Sequence, residues 1–309
     1  MKRIFRLVSC LLFVAVFAAC TRAQATQPSA PPTSPADQEP VTEQAAAATT
    51  EAPAPAEVKP SATAEPASVN QASPPENTEP APPEPQQPVA LEALLLDHET
   101  GDFSQYTDQM MDVNSVEVTR DAALAGSEYG MAVNLTGIND MAFAYKLFDE
   151  PSTSGVFRAR FYIDPNGIAR TPGLGGNTFL YATSGSQWLG GISFGMNEEG
   201  TSHEVYATMQ HDNDGHRETR SREISDGPHL IEAEWRRATS PTASDGSFSL
   251  WVDGEFHNQQ TGLDNYDVWQ DVGAVALGAT ANIPKVSIGT YYLDELAFND
   301  TGEEIGPVR

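Results

Sequence analysis

After residue 90 the chain alternates apolar and polar residues at every second position, and this limits what it can fold into more than any other feature. In 156–163, Phe157, Ala159, Phe161 and Ile163 fall on one side, and Arg158, Arg160 and Tyr162 on the other. Ile231, Ala233 and Trp235 alternate likewise with Leu230, Glu232, Glu234 and Arg236. Phe248, Leu250 and Val252 alternate with Ser247, Ser249, Trp251 and Asp253. A period of two belongs to a β-strand that buries one face. Further strand-like runs cover 129–136, 141–148, 178–183, 189–196, 203–210, 275–279 and 290–298, with Gly, Asn, Asp or Pro between most of them. No stretch of a dozen residues carries a 3.6-residue repeat. The pattern predicts an all-β fold, a jelly-roll sandwich of two antiparallel sheets.

Composition sets the boundaries of that domain. Residues 21–90 hold 16 of the 23 prolines and no Gly, Phe, Trp or Tyr. So little apolar surface cannot offset the entropy of ordering, so 20–90 is expected to be a disordered Pro/Ala/Thr/Glu-rich linker. At about 3.1 Å per residue in polyproline II its contour approaches roughly 200 Å. Residues 91–309 hold all 24 glycines, all four tryptophans and all nine tyrosines, and are long enough for one sizeable core. The whole chain carries 17 Lys+Arg against 43 Asp+Glu, a formal charge of −26. That balance excludes phosphate-backbone binding as the main activity, and so a nucleic-acid partner. Two cysteines, Cys10 and Cys20, exclude a disulfide-built scaffold.

Lys2, Arg3 and Arg6 precede the apolar run 7–19, the pattern of a secretory leader too short to span a bilayer stably. Phe17-Ala18-Ala19-Cys20 resembles the bacterial lipoprotein cleavage box, with Phe17 where Leu is usual. The resemblance implies a signal peptide over 1–19, cleavage before Cys20, diacylation of Cys20 and a membrane as partner. The rival reading is ordinary secretion, with Cys20 incidental.

Four segments of the C-terminal half carry a second resemblance. They are His229–Trp235, Asp245–Gly254 with its Leu-Trp-Val-Asp-Gly ending, Val275-Ala-Leu-Gly-Ala279, and Gly289-Thr-Tyr-Tyr-Leu-Asp-Glu295. Together they resemble the laminin G-like branch of the concanavalin A-like lectin/glucanase fold. That family includes sugar binders, protein binders, glycan-cleaving enzymes and spacers, so the fold does not select a function. Asp253-Gly254 reads independently as a tight hairpin turn.

Candidate sites follow from the residue types. Glu99 and Asp102 near the start of the domain and Asp294 near its end can meet if first and last strands are neighbours. Three carboxylates suit a hard cation, so Ca2+ in a structural role is the expected cofactor there; the rival reading makes them turn and strand residues. Asp212-Asn213-Asp214-Gly215 matches only the middle of an EF-hand loop and reads as a hairpin turn. Gln210, His211, Arg220 and Arg222 are the residue types of a polysaccharide lyase, without a matching spacing. Glu232 and Glu234 sit on one strand face without a third acid, which reads as a solvated face rather than a glycosidase pair. Trp188, Trp251, Trp269, Tyr181 and Tyr266 offer rings for sugars, whereas Trp235 falls on the core side. Arg158, Arg160, Tyr162 and Trp251 are the expected ligand contacts on one sheet. The function expected is a lipid-anchored, extracytoplasmic protein of a bacterial cell envelope displaying a non-catalytic carbohydrate-binding domain, with a glycan as partner. Its rivals are a structural or protein-binding module and, less favoured, a polysaccharide lyase.

Overall fold

The computed structural model describes residues 94–308 apart from Asp214. The leader, Cys20 and the linker expectations lie outside these residues. In chain order the strands are β1 (Leu94–Leu96), β2 (Asp108–Met110), β3 (Ser115–Thr119), β4 (Gly130–Thr136), β5 (Ala142–Ser152) and β6 (Val156–Asp164). They continue with β7 (Gly175–Ala182), β8 (Trp188–Met196), β9 (His203–His211), β10 (Gly215–Glu218) and β11 (Arg222–Ile224). The last five are β12 (His229–Arg236), β13 (Gly246–Val252), β14 (Glu255–Leu263), β15 (Val272–Ala281) and β16 (Ile288–Asn299). A single 3-10 turn, Arg120–Ala122, is the only helical element among the described residues.

These strands build two eight-stranded antiparallel sheets. Sheet I runs β14-β13-β12-β6-β16-β4-β3, with β1 on β16; sheet II runs β10-β9-β8-β7-β15-β5-β2, with β11 on β9. The all-β jelly-roll expectation therefore holds, and every alternating run of the sequence lies in a strand. Six strands carry no signal of that kind. β1, β2, β3, β10 and β11 are short. β14 is an edge strand in which only Leu263 is buried, so neither face had to be apolar. Asp253 and Gly254 join β13 to β14 with φ of 55° and 79°. Two successive left-handed residues match the twist of the flanking strands, which is why this Asp-Gly pair closes the hairpin.

The core forms where the two inner faces meet. Trp235 of β12 is completely buried, and its ring lies 4.8 Å from Tyr181 of β7 across the layers. Phe157 of β6 stacks on the same tyrosine at 4.9 Å. The Trp235 indole N–H donates to the Thr208 carbonyl at 2.9 Å, so a polar atom in the core costs nothing unsatisfied. Trp269 is buried as well. Arg170 is the core's unusual member. Its guanidinium lies over the rings of Phe194 and Tyr291 at 4.1 and 5.3 Å and donates to the Phe194 carbonyl. Burial pulls its pKa down to about 10, leaving it charged at neutral pH.

Candidate functional site: two sheet faces

Sheet I brings the expected contact residues together. Arg160 pairs with Glu232 across β6 and β12, and Glu232 pairs with Trp251 across β12 and β13, so all three share a face. Arg158 and Tyr162 lie on that face by alternation. The face is occupied from within the chain. Arg158 Nε donates to Glu232 Oε1 at 2.6 Å, and its guanidinium stacks on Trp251 at 4.6 Å. Arg160 donates to the Glu295 carbonyl at 2.9 Å and lies 5.6 Å over the Tyr162 ring. Burial lowers the Arg160 pKa, with Glu295 opposing the shift.

A C-terminal strap covers these pairs. The backbone N–H groups of Ile305 and Gly306 donate to the two oxygens of Glu232, each at 3.0 Å, and Val308 N donates to the Tyr162 hydroxyl at 3.3 Å. Arg158 and Arg160 retain only 7% and 5% exposure. The expected contact residues are thus assembled, but the Arg158 guanidinium is spent on partners inside the chain, and Arg160 donates through Nη1 to the Glu295 carbonyl while its buried Nε has no partner. Glu232 is buried rather than solvated, correcting the expectation for that strand face. Alternation shows which side chains leave the core; it says nothing of a later segment folding over them.

The three carboxylates expected around a cation have other partners. β1 does pair with β16, as their meeting requires. Asp294, however, is fully buried and accepts four hydrogen bonds, from His98 Nδ1, Ser127 Oγ and the backbone N–H groups of Leu124 and Glu295. A carboxylate accepting from Nδ1 fixes the His98 tautomer, so Nε2 accepts from the Tyr106 hydroxyl at 3.0 Å. Burial, and then the charge of Asp294, hold the Tyr106 pKa far above the ordinary phenol value. Glu99 accepts from Glu128 N and Tyr129 N, and Asp102 from Ser104 N. No group of three or more metal-ligating side chains occurs among the described residues.

The β9–β10 connection is a hairpin turn, with Asn213 at φ 71°. Asp212 accepts from Val268 N at 2.8 Å and Asp267 N at 3.3 Å, pinning the turn to the loop after β14. Asp264 lies beside it, and desolvation followed by contact with Asp212 raises its pKa. The lyase-type residues separate here. A Cβ on Gly215 would lie 2.2 Å from the His211 ring, so His211 folds over its cross-strand partner. Gln210 projects to the opposite side. Arg222 pairs with Val205, a core residue, and reaches toward Glu255 on sheet I.

The outer face of sheet II holds a cluster of polar and aromatic groups, exposed at His216 and Glu218 and half-buried at Trp188, Tyr206 and Gln210. Cross-strand register sets Gln210 opposite His216, Thr208 opposite Glu218, Tyr206 opposite Ser193, and Trp188 opposite Ala182. Gln187 Nε2 donates to Gln210 Oε1 at 2.9 Å. His216 Nε2 lies 3.4 Å from Glu218 Oε1, with both side chains about half exposed at 56% and 49%. That bond to Glu218 raises the His216 pKa. The Trp188 ring meets His216 edge-on at 6.2 Å, and its indole N–H is buried without a hydrogen-bond partner. Between them the floor is low. A Cβ on Gly191 would fall 2.0 Å from the Phe179 carbonyl, so only glycine allows β7 and β8 to approach there. Trp188 also packs on a second apolar cluster of this sheet, which includes Leu180, Ala182 and Ala276. Of these residues only Trp188 and Gln210 stood out in the sequence, because the others come together through pairing of four strands.

No family model matches the chain, and no curated protein matches it. Solved structures similar in chain path include an endo-β-1,4-glucuronan lyase from the fungus Trichoderma reesei, at TM-score 0.47 and 12% identity, covering 67% of this chain and 95% of that one. The cellulose-induced protein Cip1 is similar at TM-score 0.49 and 13% identity, covering 70% and 100%. The alginate lyase Aly36B is similar at TM-score 0.42 and 11% identity, covering 59% and 84%.

Proposed function

We propose that this chain is a lipid-anchored extracytoplasmic protein whose laminin G-like domain binds glycan without cleaving it, through the outer face of sheet II. The observation that carries the reading is the partly exposed Trp188 ring, edge-on to the exposed His216 and near the exposed Glu218 and the half-buried Gln210. Sugar rings bring apolar faces and rims of hydroxyls. An indole ring, an amide and a carboxylate over a glycine floor complement both features. The non-catalytic part is supported by the splitting of the acid-base candidates: Gln210 lies on this face, while His211 and Arg222 turn away. Anchoring rests on the leader and Cys20 alone. Acylation at Cys20 and the 20–90 linker would hold the domain away from the membrane.

A glycan array with the purified mature protein tests binding. The expected result is a saccharide ligand that Trp188→Ala loses while its far-ultraviolet circular dichroism stays that of the folded β protein, although its Tm falls because the ring packs on the second apolar cluster, whereas Trp251→Ala retains binding. Binding that survives Trp188→Ala refutes the assignment to sheet II. Mass spectrometry of the mature N-terminus tests the anchor, with diacylglycerol on Cys20 expected. A free Cys20, or cleavage elsewhere, refutes it.

A further inference from the structure

We infer that Ser225, His229 and Asp253 form a nucleophilic triad that hydrolyses neutral carboxylic esters with a short acyl chain. Ser225 directly follows β11, on the edge of sheet II, and His229 opens β12 of sheet I. The short connection between them crosses from one sheet to the other and sets the serine beside the histidine. Ser225 Oγ lies 2.8 Å from His229 Nε2, and His229 Nδ1 lies 2.8 Å from Asp253 Oδ2. An ionised carboxylate only accepts, so Nδ1 carries the ring proton and Nε2 accepts from the serine hydroxyl. General-base activation of a serine needs these distances and this tautomer. The carboxylate is itself held in place. Asp253 Oδ1 accepts from Leu230 N at 2.9 Å, and Asp253 N donates to the Leu230 carbonyl at 2.8 Å. The His229 side chain is 14% exposed, positioned without being sealed from substrate.

A second observation points to a substrate. Ser225 is exposed and lines a cavity of about 370 Å³ with apolar walls from Ile168, Ala169, Met196 and Ile224. Small-molecule sites begin at about 300 Å³, so this one suits a short acyl chain laid against those walls. Asp226 is the next residue, and Asp253 stands one hydrogen bond beyond His229, so an anionic acyl group would meet like charge. Asp226 and Gly227 lie in a bend outside the strands, which keeps their N–H groups out of the sheet ladders and nearest in sequence to the developing oxyanion. In the reaction, Ser225 Oγ bonds to the acyl carbon and its proton passes to His229 Nε2. His229 returns that proton to the leaving alkoxide as the C–O bond breaks. Water then attacks the acyl-serine, again through His229, and releases the acid and free Ser225. Water is the only co-reactant. The site lies at the far end of β8 and β9 from Trp188 and Gln210, because Met196 pairs with His203 and Gly190 with Met209. Its failure would therefore leave the glycan reading untouched.

The experiment gives the full mature protein p-nitrophenyl acetate, butyrate and dodecanoate, and separately a fluorophosphonate probe. The probe forms an Oγ–P bond and expels fluoride, and peptide mass spectrometry reads which residue carries it. The expected results are a label on Ser225, turnover of the acetate and butyrate, and little turnover of the dodecanoate. Ser225→Ala and His229→Gln are each expected to lower kcat at least about a hundredfold. Asp253 is a positioning residue, and Asp253→Asn is expected to lower kcat at least about tenfold with KM unchanged. Asparagine keeps an acceptor for Leu230 N and tolerates the left-handed backbone, so a merely structural tie would leave kcat alone. Ser221→Ala, exposed and outside the triad, is expected to change nothing. Turnover that survives Ser225→Ala, or a probe that labels another residue or none, overturns the triad. An Asp253→Asn variant with the wild-type kcat removes Asp253 from it and overturns it as well. Faster turnover of the dodecanoate overturns the short-chain assignment. The label is read on the unaltered chain, so the nucleophile is decided whether or not a variant folds.

Discussion

Replacing Glu232 by alanine removes the group on which the covered face of sheet I depends. Glu232 is 4% exposed and accepts from Arg158 and from the N–H groups of Ile305 and Gly306. Removing one partner of a buried ion pair costs about 3–5 kcal/mol, because the other charge stays behind in low dielectric. Arg158 retains Glu234 at 3.4 Å and the Trp251 ring, which places the loss near ~3 kcal/mol. The two strap amides lose a charged acceptor but rehydrate when the chain end lifts, adding about 1 kcal/mol. The sum, ~4 kcal/mol, corresponds to a fall in Tm of about 8–16 °C for a domain of this size. Calorimetry measures the total, and hydrogen exchange at Ile305 and Gly306 locates it. The double replacement Arg158→Met with Glu232→Leu leaves no charge stranded and is expected to recover most of the loss. A single variant within about 1 kcal/mol of the wild type, or strap amides that stay protected, would refute this account of the face.

Three further outcomes follow from the structure. Asp264→Asn should stabilise the protein at neutral pH. The folded-state pKa of Asp264 is raised, so its ionisation penalises the fold progressively as pH rises through the unfolded and then the folded value. The advantage of the variant, read by urea unfolding, should vanish at a pH below the unfolded carboxylate value. Gly191→Ala forces a Cβ against the Phe179 carbonyl and should cost at least about 2 kcal/mol in the same measurement. Asp294→Ala strands His98 and three further donors and should cost about 3–5 kcal/mol. Because hydrogen bonds fill this carboxylate, that cost should be the same with and without EDTA, by thermal melting. A chelator-dependent difference would show a cation at Asp294.

The alternation of side chains determined a good deal. It placed the ten principal strands, the inward direction of Trp235 and the Asp253-Gly254 turn, because each of these depends on residues close together in the chain. It also put Arg158, Arg160, Tyr162 and Trp251 outside the core. What covers them was not legible, because the strap that reaches Glu232 begins about 70 residues later and carries no period of its own. The fate of Asp294 was hidden in the same way. Whether a carboxylate binds a cation or closes a buried network with His98 and Ser127 depends on which loops arrive around it, and those come from the other end of the domain. The sheet II face is the clearest case. Trp188, Gln210, His216 and Glu218 lie on three strands, and only strand pairing makes neighbours of them. A local repeat reports which side of its own strand a residue occupies; strand order and segments folding over a face decide what stands beside it.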